Sequence, residues 1–218
     1  MIITIDGPAG AGKSSVARVL AQRLGFRFLD TGAMYRAVAL AGLRRGLDWD
    51  RPDDLAQLAE KIEIRVAGQR IYLDGEDVTE TARTSEVTAV TRYAADNPAV
   101  RARLVELQRA VAGQDDIVTE GRDQGTVVFP TAECKIFLTA SPRERARRRL
   151  RDLQAQGEPV TLDQVLLAQQ QRDMEDMRRA VGPLLPAADA LEIATDDLTL
   201  RQVVDRLESL ARERYGIV

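Results

Sequence analysis

Hydrophobic positions along this chain follow two rhythms. Short, unbroken apolar runs occur at Ile2–Ile5, Phe26–Leu29, Ile117–Thr119, Ile136–Thr139 and Leu191–Ala194. Between most of them apolar residues recur at helical spacing, over about 13–24, 33–46, 98–112, 142–155, 162–179 and 199–213. Runs without polar alternation predict strands buried on both faces, and intervening helices predict parallel pairing. The expected fold class is therefore α/β, a five-stranded parallel sheet covered by helices. Ligands on such sheets gather beyond the carboxyl ends of the strands. The segments DGPAGAGKS, DTGAMYR, EGRDQG and TASPRER all fall there.

Residues 62–80 depart from that rhythm. Ile62, Ile64 and Val66 alternate with polar residues, Gly68 and Gln69 can turn the chain, and Ile71-Tyr72-Leu73 follows. The pattern predicts a small antiparallel ribbon inserted into the α/β chain. Gln154–Thr161 (QAQGEPVT) is the best candidate for a mobile connection, given its Gly, Pro and polar content.

Composition narrows the chemistry. A hydrophobic fraction of 44% in 218 residues allows one compact domain with an elaboration, or two small domains. The net charge of −3 argues against nucleic acid as a partner, while 30% charged residues still permit local clusters for an anionic ligand. Cys134 is the single cysteine and there is no histidine, which excludes an internal disulfide, a multi-cysteine zinc cluster and an imidazole base. No apolar run approaches the ~18 residues of a membrane span, and no signal-peptide pattern precedes the first strand. A cytoplasmic protein with no membrane partner is expected. Nothing demands a partner chain either, so a monomer is expected.

Gly7, Pro8, Ala9, Gly10, Ala11, Gly12, Lys13 and Ser14, followed by Ser15, match G-x-x-x-x-G-K-[ST] between a strand and a helix. Such a loop lets successive N–H groups face one anion at the positive end of a helix. Lys13 is then expected on the β and γ phosphates of a nucleoside triphosphate, with the Ser14 hydroxyl helping to hold Mg²⁺. The alternative is a glycine-rich turn without a ligand.

The loop says nothing of the reaction, but other features do. The base-reading motif N-K-x-D of G-proteins is absent, and the chain ends too soon after the fifth strand for the extra sheet of a recombinase-like motor. Arginines collect near the expected strand ends: Arg36, Arg122, Arg143, Arg145, Arg147, Arg148 and Arg149. Phosphoryl transfer needs positioned cations more than it needs a base. Arg145 and Arg149 lie four apart on one helix face and can converge on a phosphate, although a solvated helix face explains an arginine run equally well.

DTGAMYR at 30–36, EGRDQGTVVFP at 120–130, KIFLTASPRERARRR at 135–149 and QRDMEDMRRAVGPLLPAADA at 171–190 together resemble the bacterial cytidylate kinase family. The resemblance runs from the phosphate loop to Ile193 and includes the inserted ribbon. It implies the P-loop NTPase fold of a nucleoside monophosphate kinase. Its parts would be a core (1–35, 113–142, 180–218), a monophosphate-binding domain carrying the ribbon (36–112) and a short helical lid (143–179). It also implies transfer of the γ-phosphate of ATP to CMP or dCMP with Mg²⁺.

Read in that light, Thr31 and Arg36 bind the phosphate of the acceptor and Arg122 its α-phosphate. Asp30 either joins them or simply caps the helix that starts near Ala33. Asp123 accepts from the exocyclic amine of cytosine, where uracil would present a carbonyl, and Arg101 assists. Arg172, Asp176 and Arg179, spaced i, i+4 and i+7, share a helix face: they either form intrahelical ion pairs or place two arginines on phosphates and Asp176 on the ribose. Lys13, Arg145, Arg149, Arg172 and Arg179 form the expected catalytic cations.

The chain departs from the family pattern in two places. Many relatives carry a base-reading serine six residues after the glutamate at 86, where this chain has Arg92 beside Thr91. Either Thr91 substitutes or the contact is lost. Glu120 stands where some relatives have aspartate, and either carboxylate can hold a Mg²⁺-bound water. The competing readings are a monophosphate kinase of other base preference, for UMP or AMP, and a nucleotide-cycling binding protein.

Overall fold

A computed structural model describes residues 1–155 and 157–216. In chain order the elements are β1 (Ile2–Asp6), α1 (Lys13–Leu24), β2 (Arg27–Asp30), α2 (Thr31–Arg44), α3 (Pro52–Lys61), β3 (Ile64–Ala67), β4 (Arg70–Leu73), β5 (Glu76–Asp77), α4 (Ser85–Asp96), α5 (Pro98–Ala112), β6 (Ile117–Gly121), β7 (Cys134–Thr139), α6 (Pro142–Ala155), α7 (Leu162–Arg178), β8 (Leu191–Ala194) and α8 (Leu200–Tyr215). A 3₁₀ turn spans Thr81–Arg83 and a π-helical turn Gln124–Val128. Gln156, inside the connection expected at Gln154–Thr161, lies outside the described residues, as do positions 217 and 218.

The five expected strands form one sheet in the order β2-β6-β1-β7-β8. Parallel registers such as Ile3↔Val118, Ile3↔Cys134 and Leu138↔Ile193 tie its centre together. The inserted ribbon is a separate three-stranded antiparallel sheet, β3-β4-β5. Ile64 pairs with Leu73 and Val66 with Ile71, so one face is apolar, while Arg65 stacks 3.9 Å over the ring of its cross-strand partner Tyr72.

By internal contacts the chain divides into two compact units, residues 1–26 with 117–218, and residues 27–116. In the first unit, α1 buries Val16, Ala17, Leu20 and Ala21, and α8 buries Val203, Val204, Leu207 and Ala211. The two helices touch, and the Arg23 guanidinium pairs with Asp205 and Glu208 of α8.

In the second unit α2 is the central element. Met34, Ala37, Val38 and Ala41 join one apolar cluster with Leu55 and Leu58 of α3, Val87 of α4, Leu104 of α5 and Leu73 of β4.

Two helices went unread in the sequence. α3 carries proline at its first position and Asp53 and Asp54 in its first turn, a start signal that is legible in hindsight. α4 contains Val87, Thr88, Val90 and Thr91, β-branched residues with weak helix propensity. Packing against α2 outweighs that local preference. α2 also begins two residues before the expected position 33, because Asp30 caps it by accepting from the Ala33 N–H at 2.9 Å.

Candidate active site

Between β1 and α1 the loop curls over residues 7–12 and the helix opens at Lys13. Gly7 has φ +146, and a Cβ there would overlap the Leu138 carbonyl oxygen on β7. A Cβ on Gly10 would lie 2.6 Å from Gln169 Nε2 and 3.2 Å from Arg145 Cβ. The backbone clash excludes a side chain at Gly7; at Gly10 the φ of +78 disfavours one, the Gln169 amide being a movable side-chain end. Lys13 is 5% exposed, and its ammonium donates to the Pro8 carbonyl at 2.9 Å. Burial, reinforced by Arg122 and Arg172, brings its pKa from 10.5 down to about 7, against the pull of Glu120 and Asp6. Next to it the Ser14 hydroxyl donates to Glu120 Oε1 at 2.8 Å.

At the end of β6, Arg122 Nε donates to Asp176 Oδ2 at 2.8 Å, and Arg179 Nη2 donates to Asp176 Oδ1 at 2.5 Å. Burial pushes the Asp176 carboxyl up, but Arg122, Arg179 and Arg172 together outweigh it and hold it below the usual aspartate range. The i+7 spacing on one helix face does not hold for Arg179. α7 ends at Arg178, and Arg179 caps it with ψ 132. Its guanidinium still reaches Asp176 because the pair is three apart.

Asp123 is 4% exposed and precedes the π-helical turn. That turn hangs on Asp6, whose carboxylate accepts from the N–H groups of Gln124 at 2.9 Å and Gly125 at 2.8 Å. Burial lifts the Asp6 pKa from 3.8 to about 6; those two N–H groups lower it and the nearby Asp123 raises it further.

On α6 the expected partners Arg145 and Arg149 part company. Arg145 is 4% exposed: Nε donates to the Ala140 carbonyl, Nη1 to the Ala9 carbonyl of the loop, and Nη2 pairs with Asp173. Arg149, one turn further along, is exposed. The residue between them in height, Arg148, faces inward instead. It donates to the Thr195 carbonyl at 2.7 Å and hydroxyl at 3.1 Å, and one terminal nitrogen lies 3.9 Å from where a Gly12 Cβ would sit.

In the second unit Thr31 is buried in the first turn of α2. Arg36 reaches back to the Asp30 carboxylate at 3.3 Å, and its buried Nε has no hydrogen-bond partner among the described residues. Arg83 approaches the same carboxylate at 3.8 Å and was not singled out in the sequence, where it carries no distinguishing pattern. Two guanidinium groups and a helix N-terminus thus surround Asp30, an arrangement suited to an anion. Arg101 is buried, donates to the Ala95 carbonyl and lies 5.6 Å from the centre of the Tyr35 ring. The Thr91 hydroxyl donates to the Val87 carbonyl at 2.7 Å, while Arg92 stacks on Tyr93.

Residues 3–213 match the family model described as cytidylate kinase. The chain belongs to the cytidylate kinase family. It is 53% identical over 213 residues to the cytidylate kinase of Rhodopirellula baltica, covering 98% of this chain and 93% of that one. Against the cytidylate kinase of Pelotomaculum thermopropionicum the identity is 52%, covering 93% and 92%. Among solved structures, a shikimate kinase from Bacteroides thetaiotaomicron superposes with a TM-score of 0.51 at 16% identity, covering 97% and 98%, a likeness of fold alone.

In this family member the hard oxygen donors of Ser14 and Glu120 fit a Mg²⁺ ion that arrives on phosphates. Among the described residues no cluster of three or more Asp, Glu, His or Cys side chains is arranged to hold a metal by itself. No helix among them is long and apolar enough to cross a membrane.

Proposed function

We propose that this chain transfers the γ-phosphate of ATP to CMP or dCMP, giving CDP or dCDP and ADP. The observation that carries the reading, beside family membership, is the environment of Lys13. The Lys13 ammonium is buried on the loop and donates to the Pro8 carbonyl at 2.9 Å; burial, with Arg122 and Arg172 nearby, lowers its pKa to about 7, so an anion bound there stabilises the three cations together. Triphosphate oxygens supply that anion.

Residues 7–15 hold the ATP phosphates through backbone N–H groups, with Lys13 on the β and γ positions. Ser14 and Glu120 would hold the Mg²⁺ that comes with ATP, and the ion would supply positive charge to offset that of the phosphates. The attacking oxygen belongs to the CMP phosphate and is already anionic, so direct in-line transfer needs no base, in keeping with a chain without histidine. Lys13, Arg145, Arg172 and Arg179 neutralise the moving phosphoryl group; Arg149, exposed one turn beyond Arg145, would join them only by swinging in. Thr31, Arg36 and Arg122 bind the acceptor phosphate, Asp176 the ribose, and Asp123 with Arg101 the cytosine. The segment 143–179 acts as a lid that excludes water and so suppresses ATP hydrolysis. The chain works as a monomer in the cytoplasm.

The test is a panel of CMP, dCMP, UMP and AMP assayed with labelled ATP. Labelled CDP and dCDP should dominate. Preference for UMP or AMP refutes the base assignment, and labelled inorganic phosphate alone refutes transfer altogether.

A further inference from the structure

The clamp on Arg145 contains a residue to which the reaction scheme assigns no role. Asp173 sits on α7, four residues beyond Gln169, so both project from one side of that helix. Asp173 Oδ2 pairs with Arg145 Nη2 at 2.7 Å, and side-chain exposures of 5% and 13% keep the pair out of water. On the same guanidinium, Nη1 donates to the Ala9 carbonyl at 2.9 Å and Nε to the Ala140 carbonyl at 3.0 Å. Arg145 is thereby fastened at three nitrogens, to α7, to the phosphate loop and to the end of β7. A guanidinium carries five N–H groups in a rigid plane. Among the described residues three are engaged, so one on each terminal nitrogen remains, with its direction set by the other bonds.

Gln169 adds a second contact between α7 and the loop. It is 7% exposed, and its amide nitrogen packs where Gly10 has no side chain. Gln169 Oε1 and Asp173 Oδ1 are both buried and accept no hydrogen bond among the described residues. The Asp173–Arg145 contact therefore uses one carboxylate oxygen, a single-pronged bond that holds Nη2 while Nη1 and Nε stay on the Ala9 and Ala140 carbonyls.

We infer that Asp173 is a positioning residue for the phosphate-transfer step: it orients the Arg145 guanidinium against the Ala9 carbonyl, so that the remaining N–H groups face the phosphate oxygens held by the loop. Asp173 acts through Arg145 and touches neither nucleotide. The inference rests on the proposed role of Arg145. A misplaced cation loses much of its effect, and displacement by about 1 Å can cost up to roughly a hundredfold in rate.

Steady-state kinetics of the full chain, with ATP and CMP varied separately, test this. Asp173→Ala should lower kcat by about tenfold to a hundredfold with the KM for CMP unchanged. Asp173→Asn keeps a carbonyl acceptor for Arg145 and should recover part of the loss; it also serves where the alanine variant fails to fold. Arg145→Ala combined with Asp173→Ala should be no slower than Arg145→Ala alone, because both changes remove one function. Losses that multiply in the double variant, an asparagine variant as slow as the alanine one, or wild-type kinetics in both Asp173 variants would overturn the assignment. A full-rate Arg145→Ala enzyme would instead refute the role of Arg145 itself.

Discussion

The Ser14 hydroxyl donates to Glu120 Oε1 across 2.8 Å, joining the first turn of α1 to the fourth residue of β6. The two side chains arrive from different strands' ends because β1 and β6 run parallel, with Ile5 opposite Glu120. If the pair holds the metal of Mg·ATP, Glu120→Gln should raise the Mg²⁺ concentration needed for half-maximal rate. Residues around a metal typically contribute about 10–100-fold to affinity or activity. Titrating Mg²⁺ at fixed ATP measures the shift, and an unchanged Mg²⁺ requirement would remove Glu120 from the metal's surroundings.

Lys13→Ala separates catalysis from folding. Removing a cation that stabilises transition-state charge costs about 2.7–4 kcal/mol, or 10²–10³ in rate. The same ammonium is disfavoured by its own burial in the free protein, as its lowered pKa records, so its loss should not unfold the chain. Turnover and thermal melting of the variant read the two effects separately. Near-normal turnover would contradict the mechanism.

How far these features were legible depended on how local their causes are. Unbroken apolar runs and the loop pattern located the five strands, α1 and the Gly7–Ser14 turn, because burial on both faces and phosphate binding act over a few consecutive residues. α4 was missed because its β-branched residues vote against a helix that only packing on α2 stabilises. At the site, the loop pattern identified Lys13 and the family resemblance singled out Arg122 and Asp176 as candidates, but neither said who partners whom. Arg148 turning to Thr195, and Asp6 suspending the turn after Asp123, join positions about fifty to a hundred and twenty residues apart. No local pattern encodes such pairings.

Asp6 makes stability depend on pH in a defined direction. Its pKa rises on folding from 3.8 to about 6, so between those values the folded state binds the extra proton. Stability from this group is therefore greatest below about 3.8 and falls as pH rises to about 6. The displacement corresponds to about 3 kcal/mol. Asp6→Asn removes the titration and with it this component. Urea unfolding at intervals from pH 3.5 to 7 should show the wild type losing about 3 kcal/mol relative to the variant across that window. A constant difference would mean that the Asp6 carboxyl titrates near its ordinary value.

Asp123 supplies the sharpest test of base choice. A carboxylate accepts from the cytosine amine and meets uracil's carbonyl with repulsion, so a carboxylate placed on the base would work against UMP as much as for CMP. An asparagine of the same shape can turn its amide to donate to that carbonyl. One well-placed polar contact to a base edge is worth about 1–3 kcal/mol of discrimination. Asp123→Asn should therefore move the ratio of kcat/KM for CMP over UMP towards UMP by about tenfold to a hundredfold. Because Asp123 is buried beside the turn anchored by Asp6, a general disturbance of that turn would lower both substrates alike. Only a change in the ratio, with ATP kinetics preserved, assigns the aspartate to the base.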